Sequence, residues 1–548
     1  MKKIGKAVLG LIAAVAMLFT GLVAPVTAMA ADTYSITIGT QAKPVTSDHT
    51  FEAYQVFAGD LSEKDNNVTL SNITWGNGVN GSELLTALKN DTALGTAFAQ
   101  ANSAADVAAA LTADNAAAFA KVAAAYLTEK TSGTGAYDEG TKTYTISGLS
   151  AGYYLVKDKD GSLGDKTEAY TEFILRVIKS VTVAPKADVP TVEKKVWDTN
   201  DSATDANDAN DDKWSDSADH DINDTVNFQL TGSLPSNYDA YGTYAYTFTD
   251  TLSKGLTLNH LDGGTNDVKV YAVKGDSKVE IASSSYTATT ADYTATGDND
   301  KYEDGTVLTI DFDNLKTAAA ATAGEILTID KDTKIVVEYS ATLNENAVIG
   351  SKGNPNKVDL TFSNNPNGTG EGKTPEDVVT VFTFKIVANK VDDNQKPLDG
   401  AGFTLYKFDK TGNQYKAVGQ EITGVTTFNF SGLDAGQYKL EETTTPTGYN
   451  TWEGLEFKIV AEHDATADDP QLTKLEVQKL DGTVISGANN TFTIDLTAGS
   501  ASLNVVNKKG SNLPETGGIG TTILYVAGAA CVIAAGVWFG LRRRNSTR

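Results

Sequence analysis

Phe382-Thr-Phe384-Lys-Ile386-Val-Ala388-Asn-Lys390 alternates apolar and polar residues and ends its apolar parity on a lysine. A repeat of two is that of a β-strand, whose successive side chains point to opposite faces. A strand here carries Lys390 inward with Phe384, Ile386 and Ala388. Leu503-Asn-Val505-Val-Asn507 does the same further on and aims Asn507 inward. Between them, Tyr438-Lys-Leu440-Glu-Glu442 puts Glu442 on the parity of Tyr438 and Leu440. Each strand gives up a core position to a polar group, which is costly unless the groups meet one another.

Meeting would give them a chemistry. Burial disfavours the charged forms, lowering a lysine pKa and raising that of a glutamate. A neutral Lys390 amine can attack the Asn507 side-chain carbonyl while the Glu442 acid polarises it and shuttles protons. Holding the groups in contact supplies about 7–11 kcal/mol of the barrier. Ammonia leaves, and an isopeptide bond ties the first strand to the last.

Working outward, residues 383–508 form the last and shortest of three units. Residues 188 to about 382 form a second, with alternating segments Val226-Asn-Phe-Gln-Leu230, Val268-Lys-Val-Tyr-Ala272, Val307-Leu-Thr-Ile-Asp311 and Ile335-Val-Val-Glu-Tyr339 separated by Gly/Asn/Asp turns. This is the pattern of an all-β sandwich. Residues 31–187 form the first, a β unit opening on Tyr34-Ser-Ile-Thr-Ile38 and closing on Phe173-Ile-Leu-Arg-Val177. Its alanine-rich middle, from Glu83 to Lys130, predicts a helical insertion, and Ser103-Ala-Ala-Asp106 reads as a helix start. The fold class expected is therefore mainly β, as tandem sandwiches.

Both ends carry processing signals. Lys2, Lys3 and Lys6 precede an apolar core from Ala7 to about Val23, and Ala28-Met29-Ala30 offers a cleavage site, so residues 1–30 read as a secretory signal peptide. At the other end, residues 509–548 begin with a polar spacer followed by Leu513-Pro514-Glu515-Thr516-Gly517. An apolar run from Ile519 to Leu541, about the length that crosses a bilayer, and a basic stop, Arg542-Arg543-Arg544, complete the tail.

The net charge is -25; removing residues 1–30 and everything after Thr516, with seven Lys or Arg and no acid, leaves about -32. Such an acidic chain excludes nucleic acid as a partner class. The single cysteine, Cys531, lies in the apolar run, so the exported part has no disulfides although its compartment permits them. His49, His220, His260 and His463 are scattered and form no metal-ligand cluster. The sequence implies no cofactor and no metal. The Asp/Asn-rich stretch from Asp198 to Asp221 lacks the regular calcium-loop spacing and reads as a solvated loop, with a cation-binding role left open.

The residues quoted carry a family resemblance. Leu513 to Gly517 looks like the sorting signal of Gram-positive surface proteins, which a sortase cleaves between the positions of Thr516 and Gly517. The third unit resembles the B-type repeat of collagen-adhesin-like (Cna) proteins. Tyr438 to Tyr449 matches the pilin "E-box" (Y-x-L-x-E-T-x-A-P-x-G-Y) except at Thr445, and the whole chain is similar to the major, backbone pilins of sortase-assembled pili. The resemblance implies immunoglobulin-like or Cna-type domains. In the second unit it implies a further isopeptide between Lys194, preferred over Lys195 because Val192, Lys194 and Val196 share parity, and Asn356, with Asp250 as the acid.

Val181-Thr-Val183-Ala-Pro185-Lys186 resembles the pilin motif (W-x-x-x-V-x-V-Y-P-K-N), in which the lysine accepts the sorted threonine of the next subunit. Val177, Ala184 and Ala187 depart from that motif. The partners implied are pilin-specific and housekeeping sortases, other copies of this chain, peptidoglycan and accessory pilins, with a host glycan or matrix receptor for an adhesive role. The expectation is a structural shaft subunit and not a turnover enzyme. The alternatives are a wall-anchored monomeric adhesin and a basal or tip pilin.

Overall fold

A computed structural model describes residues 33–41, 44–64, 67–112, 114–163, 166, 168–184, 189–199, 213–259, 268–297, 300–366, 368–464, 466–467, 469–485, 491–510 and 519–545. The chain is mainly β, built as successive pairs of sheets that enclose apolar cores.

Residues 33–184 hold two four-stranded sheets. One has the order Thr134–Asp138, Thr143–Leu149, Tyr34–Ile38, Val181–Val183; the other runs Asn67–Trp75, Phe51–Lys64, Gly152–Asp158, Glu172–Val177. Ile36, Ile38, Phe51, Ile146, Tyr154 and Val177 fill the space between them. The helices Gly81–Asn90, Gly95–Phe98, Ala104–Ala110 and Ala116–Ala124 cover the outer face of the second sheet, where Leu84, Leu88, Phe98, Val107 and Phe119 pack on Phe57 and Tyr153. Ser103 caps its helix by accepting from Asp106 N, and Asp106 returns a bond to Asn102 N at 2.9 Å. The first bond satisfies one of the amides that the first helical turn leaves free, and in the second Asp106 accepts from the residue before the cap.

In residues 189–382 one sheet runs Lys213–Ser215, Val192–Asp198, Thr225–Gly232, Lys334–Leu343, Lys269–Lys274, Ser277–Glu280. The facing sheet runs Ser217–Asp219, Asp377–Phe382, Asn354–Ser363, Tyr246–Leu252, Thr306–Phe312, Thr287–Asp292. The core between them is rich in aromatic side chains, among them Phe228, Tyr244, Tyr246, Phe248 and Phe312.

From residue 384, the strands Thr427–Leu433, Phe384–Val391, Ser500–Val506 and Thr493–Asp495 face a sheet of Gln414–Ala417, Gly402–Asp409, Gly436–Thr444, Leu455–His463 and Leu472–Gln478. Phe384–Val391 and Ser500–Val506 pair in parallel, with Lys390 opposite Val505. No tight turn can join parallel neighbours, so the rest of this sandwich lies between them in sequence.

Polar contacts link these bodies. Asn364, fully buried, donates to the carbonyls of Leu163 and Glu371, both at 3.1 Å, and Tyr170 N donates to Asn364 O. Further along, Asp219 accepts from Ala435 N at 2.7 Å, Asp221 accepts from Asp434 N at 2.9 Å, and Ile222 N donates to Gly432 O.

The last helix, Ile519–Asn545, has 27 residues and exposes Tyr525, Val526, Val532, Ile533 and Phe539. Among the described residues no helix is long and apolar enough to cross a membrane. The described side chains of this helix stop short of the full apolar run from Ile519 to Leu541.

Candidate functional site

Strand parity delivers three buried polar side chains to one point in the third body. Lys390 and Asn507 come from the parallel first and last strands, and Asn507 N donates to Val391 O at 3.1 Å, extending the ladder. Glu442 reaches them from Gly436–Thr444 in the opposite sheet. Asn507 Nδ2 donates to Glu442 Oε1 at 2.7 Å, and Lys390 Nζ stands 3.7 Å from the same oxygen. Lys390 Nζ also donates to Val505 O at 3.1 Å, and Trp452 N donates to Glu442 Oε2 at 2.6 Å. Burial pushes the Lys390 amine down from its ordinary 10.5 to about 8, against the upward pull of Glu442.

The second body has its own cluster with a different geometry. Lys194 lies on Val192–Asp198 in one sheet, while Asp250 and Asn356 lie on neighbouring strands of the other, so this cluster spans the sandwich. Lys194 Nζ donates to Asp250 Oδ1 at 2.6 Å and to the Tyr339 hydroxyl at 2.9 Å. Asn356 Nδ2 donates to that hydroxyl at 2.7 Å. Lys194, Asp250 and Asn356 are each 0% exposed. Burial lowers Lys194 to about 8, with Asp250 opposing, and burial raises the Asp250 carboxyl, with Lys194 opposing. Lys195 turns to the other face of its strand and pairs with Asp216 and Glu193.

Three buried oxygens in the clusters have no hydrogen-bond partner: Asn356 Oδ1, Asn507 Oδ1 and Asp250 Oδ2. An orphaned buried oxygen normally has a reason. A protonated carboxyl would turn an acceptor into a donor, and a half-turn of either amide would exchange its oxygen with its nitrogen. Each cluster thus holds an amine, an acid and a side-chain carbonyl in one dry space, the set that amide exchange requires.

Sequence reasoning missed Tyr339, although Ile335, Val337 and Tyr339 share inward parity and a buried hydroxyl on such a face calls for a partner. It could not name Val505 O or Trp452 N, because backbone groups carry no signal of their own. Lys186 and Leu513 to Gly517 lie outside the described residues, as do residues 200–212 of the acidic stretch.

The carboxylates of Asp221, Asp224 and Asp434 approach one another closely enough to hold a cation. Lys407 Nζ already sits among them, 2.5 Å from Asp221 and 2.9 Å from Asp434.

Comparison with known proteins places this architecture. Residues 384–474 match the family described as a prealbumin-like fold domain, and residues 505–547 match the LPXTG cell wall anchor motif. The chain is a cell-wall-anchored surface protein of tandem β-sandwiches. It is similar to the trypsin-resistant surface T6 protein of Streptococcus pyogenes serotype M6, with 27% identity over 277 residues, covering 38% of this chain and 48% of that protein. It thus spans about half the length of the curated relative it matches. Among solved structures, it is similar to the T6 backbone pilin of S. pyogenes at 17% identity and a TM-score of 0.47, covering 88% of this chain and 100% of that one. It is also similar to the major pilin SpaD of Corynebacterium diphtheriae at 18% identity and a TM-score of 0.42, covering 89% and 99%.

Proposed function

We propose that this chain is the shaft-forming subunit of a covalent pilus on a Gram-positive cell, stabilised by two self-formed isopeptide bonds and without turnover chemistry. The observation that carries the reading is the pair of buried Lys/acid/Asn clusters in a wall-anchored chain. Such groups are expensive to bury, and disulfides are not there to tie its sandwiches.

In each cluster the neutral amine attacks the Asn Cγ while the protonated acid donates to the amide oxygen. The Nζ–Cγ bond forms, the Cγ–Nδ2 bond breaks, and a proton passes from Nζ to Nδ2 so that ammonia leaves. The products are the bonds Lys194–Asn356 and Lys390–Asn507. After export, with the Ile519–Leu541 segment as a transient membrane anchor, a pilin-specific sortase joins Thr516 to Lys186 of the next subunit. A housekeeping sortase passes the finished polymer to peptidoglycan. The join is head to tail and does not close on itself, so it propagates as a filament. Adhesion to a host glycan or matrix protein, and accessory pilins on the shaft, belong to the same reading.

An immunoblot of enzymatically released wall material tests it, comparing the unaltered chain with Lys186→Ala. A high-mass ladder that collapses to monomer in the variant is expected. A ladder that persists would move the acceptor to another lysine. The departures at Val177, Ala184 and Ala187 favour a second reading, a wall-anchored monomeric adhesin, which would show one monomer band from the start.

A further inference from the structure

Resting on the isopeptide reading above, we propose that Tyr339 is a catalytic residue of the second-body reaction, relaying the proton from the Lys194 amine to the departing Asn356 nitrogen. The reaction needs this transfer whatever else assists it. Attack leaves Nζ with one proton too many and Nδ2 one short of leaving as ammonia. Nothing is oxidised or reduced, and one proton must cross between two nitrogens in a site closed to bulk water.

In the third body a single atom is placed to do this, since Glu442 Oε1 lies 2.7 Å from Asn507 Nδ2 and 3.7 Å from Lys390 Nζ. The second body has an aspartate, one methylene shorter. Asp250 Oδ1 is engaged by Lys194 Nζ at 2.6 Å, and the hydrogen bond from Asn356 Nδ2 goes to Tyr339 instead. The Tyr339 oxygen is the atom common to both nitrogens, 2.9 Å from Nζ and 2.7 Å from Nδ2. The work that Glu442 does alone is divided here: Asp250 polarises, and Tyr339 carries the proton.

The direction of the relay follows from the electronic change at Nδ2. In the amide its lone pair is delocalised into the carbonyl, so it can only donate, as it does to Tyr339. After attack Nδ2 is an amine with a free lone pair facing the hydroxyl. A hydroxyl has one proton to give and two lone pairs to receive with. It hands its proton to Nδ2 while accepting one from the cationic Nζ, and ends as it began. Burial, and then the charge and hydrogen bond of Asp250, raise the phenol well above its ordinary range, which suits a group that never needs to stay ionised.

Tyr339→Phe isolates the hydroxyl, because the ring and its stack on Phe228, 5.3 Å between centroids, remain. Full-length chains made by cell-free synthesis would be followed by intact mass and by the crosslinked peptides. The Lys194–Asn356 bond is expected to form at least about 100-fold more slowly in the variant. The Lys390–Asn507 bond should keep its rate and serve as an internal clock. Equal rates for both bonds in the two chains would overturn the relay alone. Absence of the Lys194–Asn356 peptide from the unaltered chain would sink the isopeptide reading and this proposal with it. If the Phe variant loses its cooperative melt, 3,5-difluorotyrosine at position 339 replaces it, with its more acidic hydroxyl. A changed rate and pH profile for the second-body bond only is then expected, and unchanged behaviour would overturn the relay.

Discussion

Lys390 and Glu442 illustrate how a buried pair behaves at the scale of one residue. Burial holds the Lys390 amine at about 8 against the pull of Glu442, so the neutral, attacking form gains population as pH rises towards that value. The rate of bond formation should rise with it; a time course of mass at several pH values checks this. Glu442→Gln keeps an acceptor for Trp452 N but removes the acid, and the chain should then retain the mass of one ammonia. An unchanged mass would mean that Glu442 is not the acid. These residues were legible in the sequence because strand parity alone decides which side chains face the core. Tyr339 was not singled out, since a tyrosine on an apolar parity is ordinarily core packing and only its neighbours across the sheet reveal its hydroxyl's partners.

Elements show a different limit. The start of Ala104–Ala110 could be read from Ser103 and Asp106 because capping is local, and Ser103→Ala should cost about 1 kcal/mol in a denaturant melt. The parallel pairing of Phe384–Val391 with Ser500–Val506 could not be read, because it depends on how everything between them folds. The same is true of His49, whose parity says nothing of the loop it meets. Its Nδ1 lies 2.8 Å from Asp158 and its Nε2 3.6 Å from Glu168. Burial alone would lower the imidazole, but bonds to these two acids outweigh it and raise the group to about 9. A raised folded-state pKa stabilises fully below the unfolded value of about 6.5. That contribution should be lost as pH rises towards 9, and hydrogen exchange in the strands Phe51–Lys64 and Gly152–Asp158 should quicken over that window. His49→Asn should flatten the dependence.

Across the whole molecule, the contacts between bodies are built from charge as much as from apolar surface. Lys407 is the cation between Asp221, which precedes the second-body core, and Asp434 of the third. Lys407→Ala leaves two nearly buried carboxylates facing each other, a change expected to cost about 3–5 kcal/mol. Protease cleavage between the second and third bodies should become faster, with the two sandwiches themselves still resistant. Such long-range partnerships lie beyond pattern reading, for nothing in the spacing of Lys407 and Asp221 announces that they meet.

The positions of the two clusters also determine how far such a filament can stretch. In a shaft joined from Lys186 to Thr516, tension enters and leaves each subunit at those residues, and everything before Lys186 hangs beside the line of pull. Among the described residues, no lysine before residue 185 is buried, and the two lysine-bearing clusters both lie on the line. A bond from Lys194 to Asn356 withholds roughly 550 Å of extended chain from elongation, and one from Lys390 to Asn507 roughly 400 Å more. The parallel strands place Lys390 and Asn507 side by side, so the load crosses from one to the other and the intervening sandwich is spared. What is left to lengthen is the chain outside the two loops, chiefly residues 357–389 with their strands, and the filament would behave as a cord whose stretch is confined to the joints between its sandwiches.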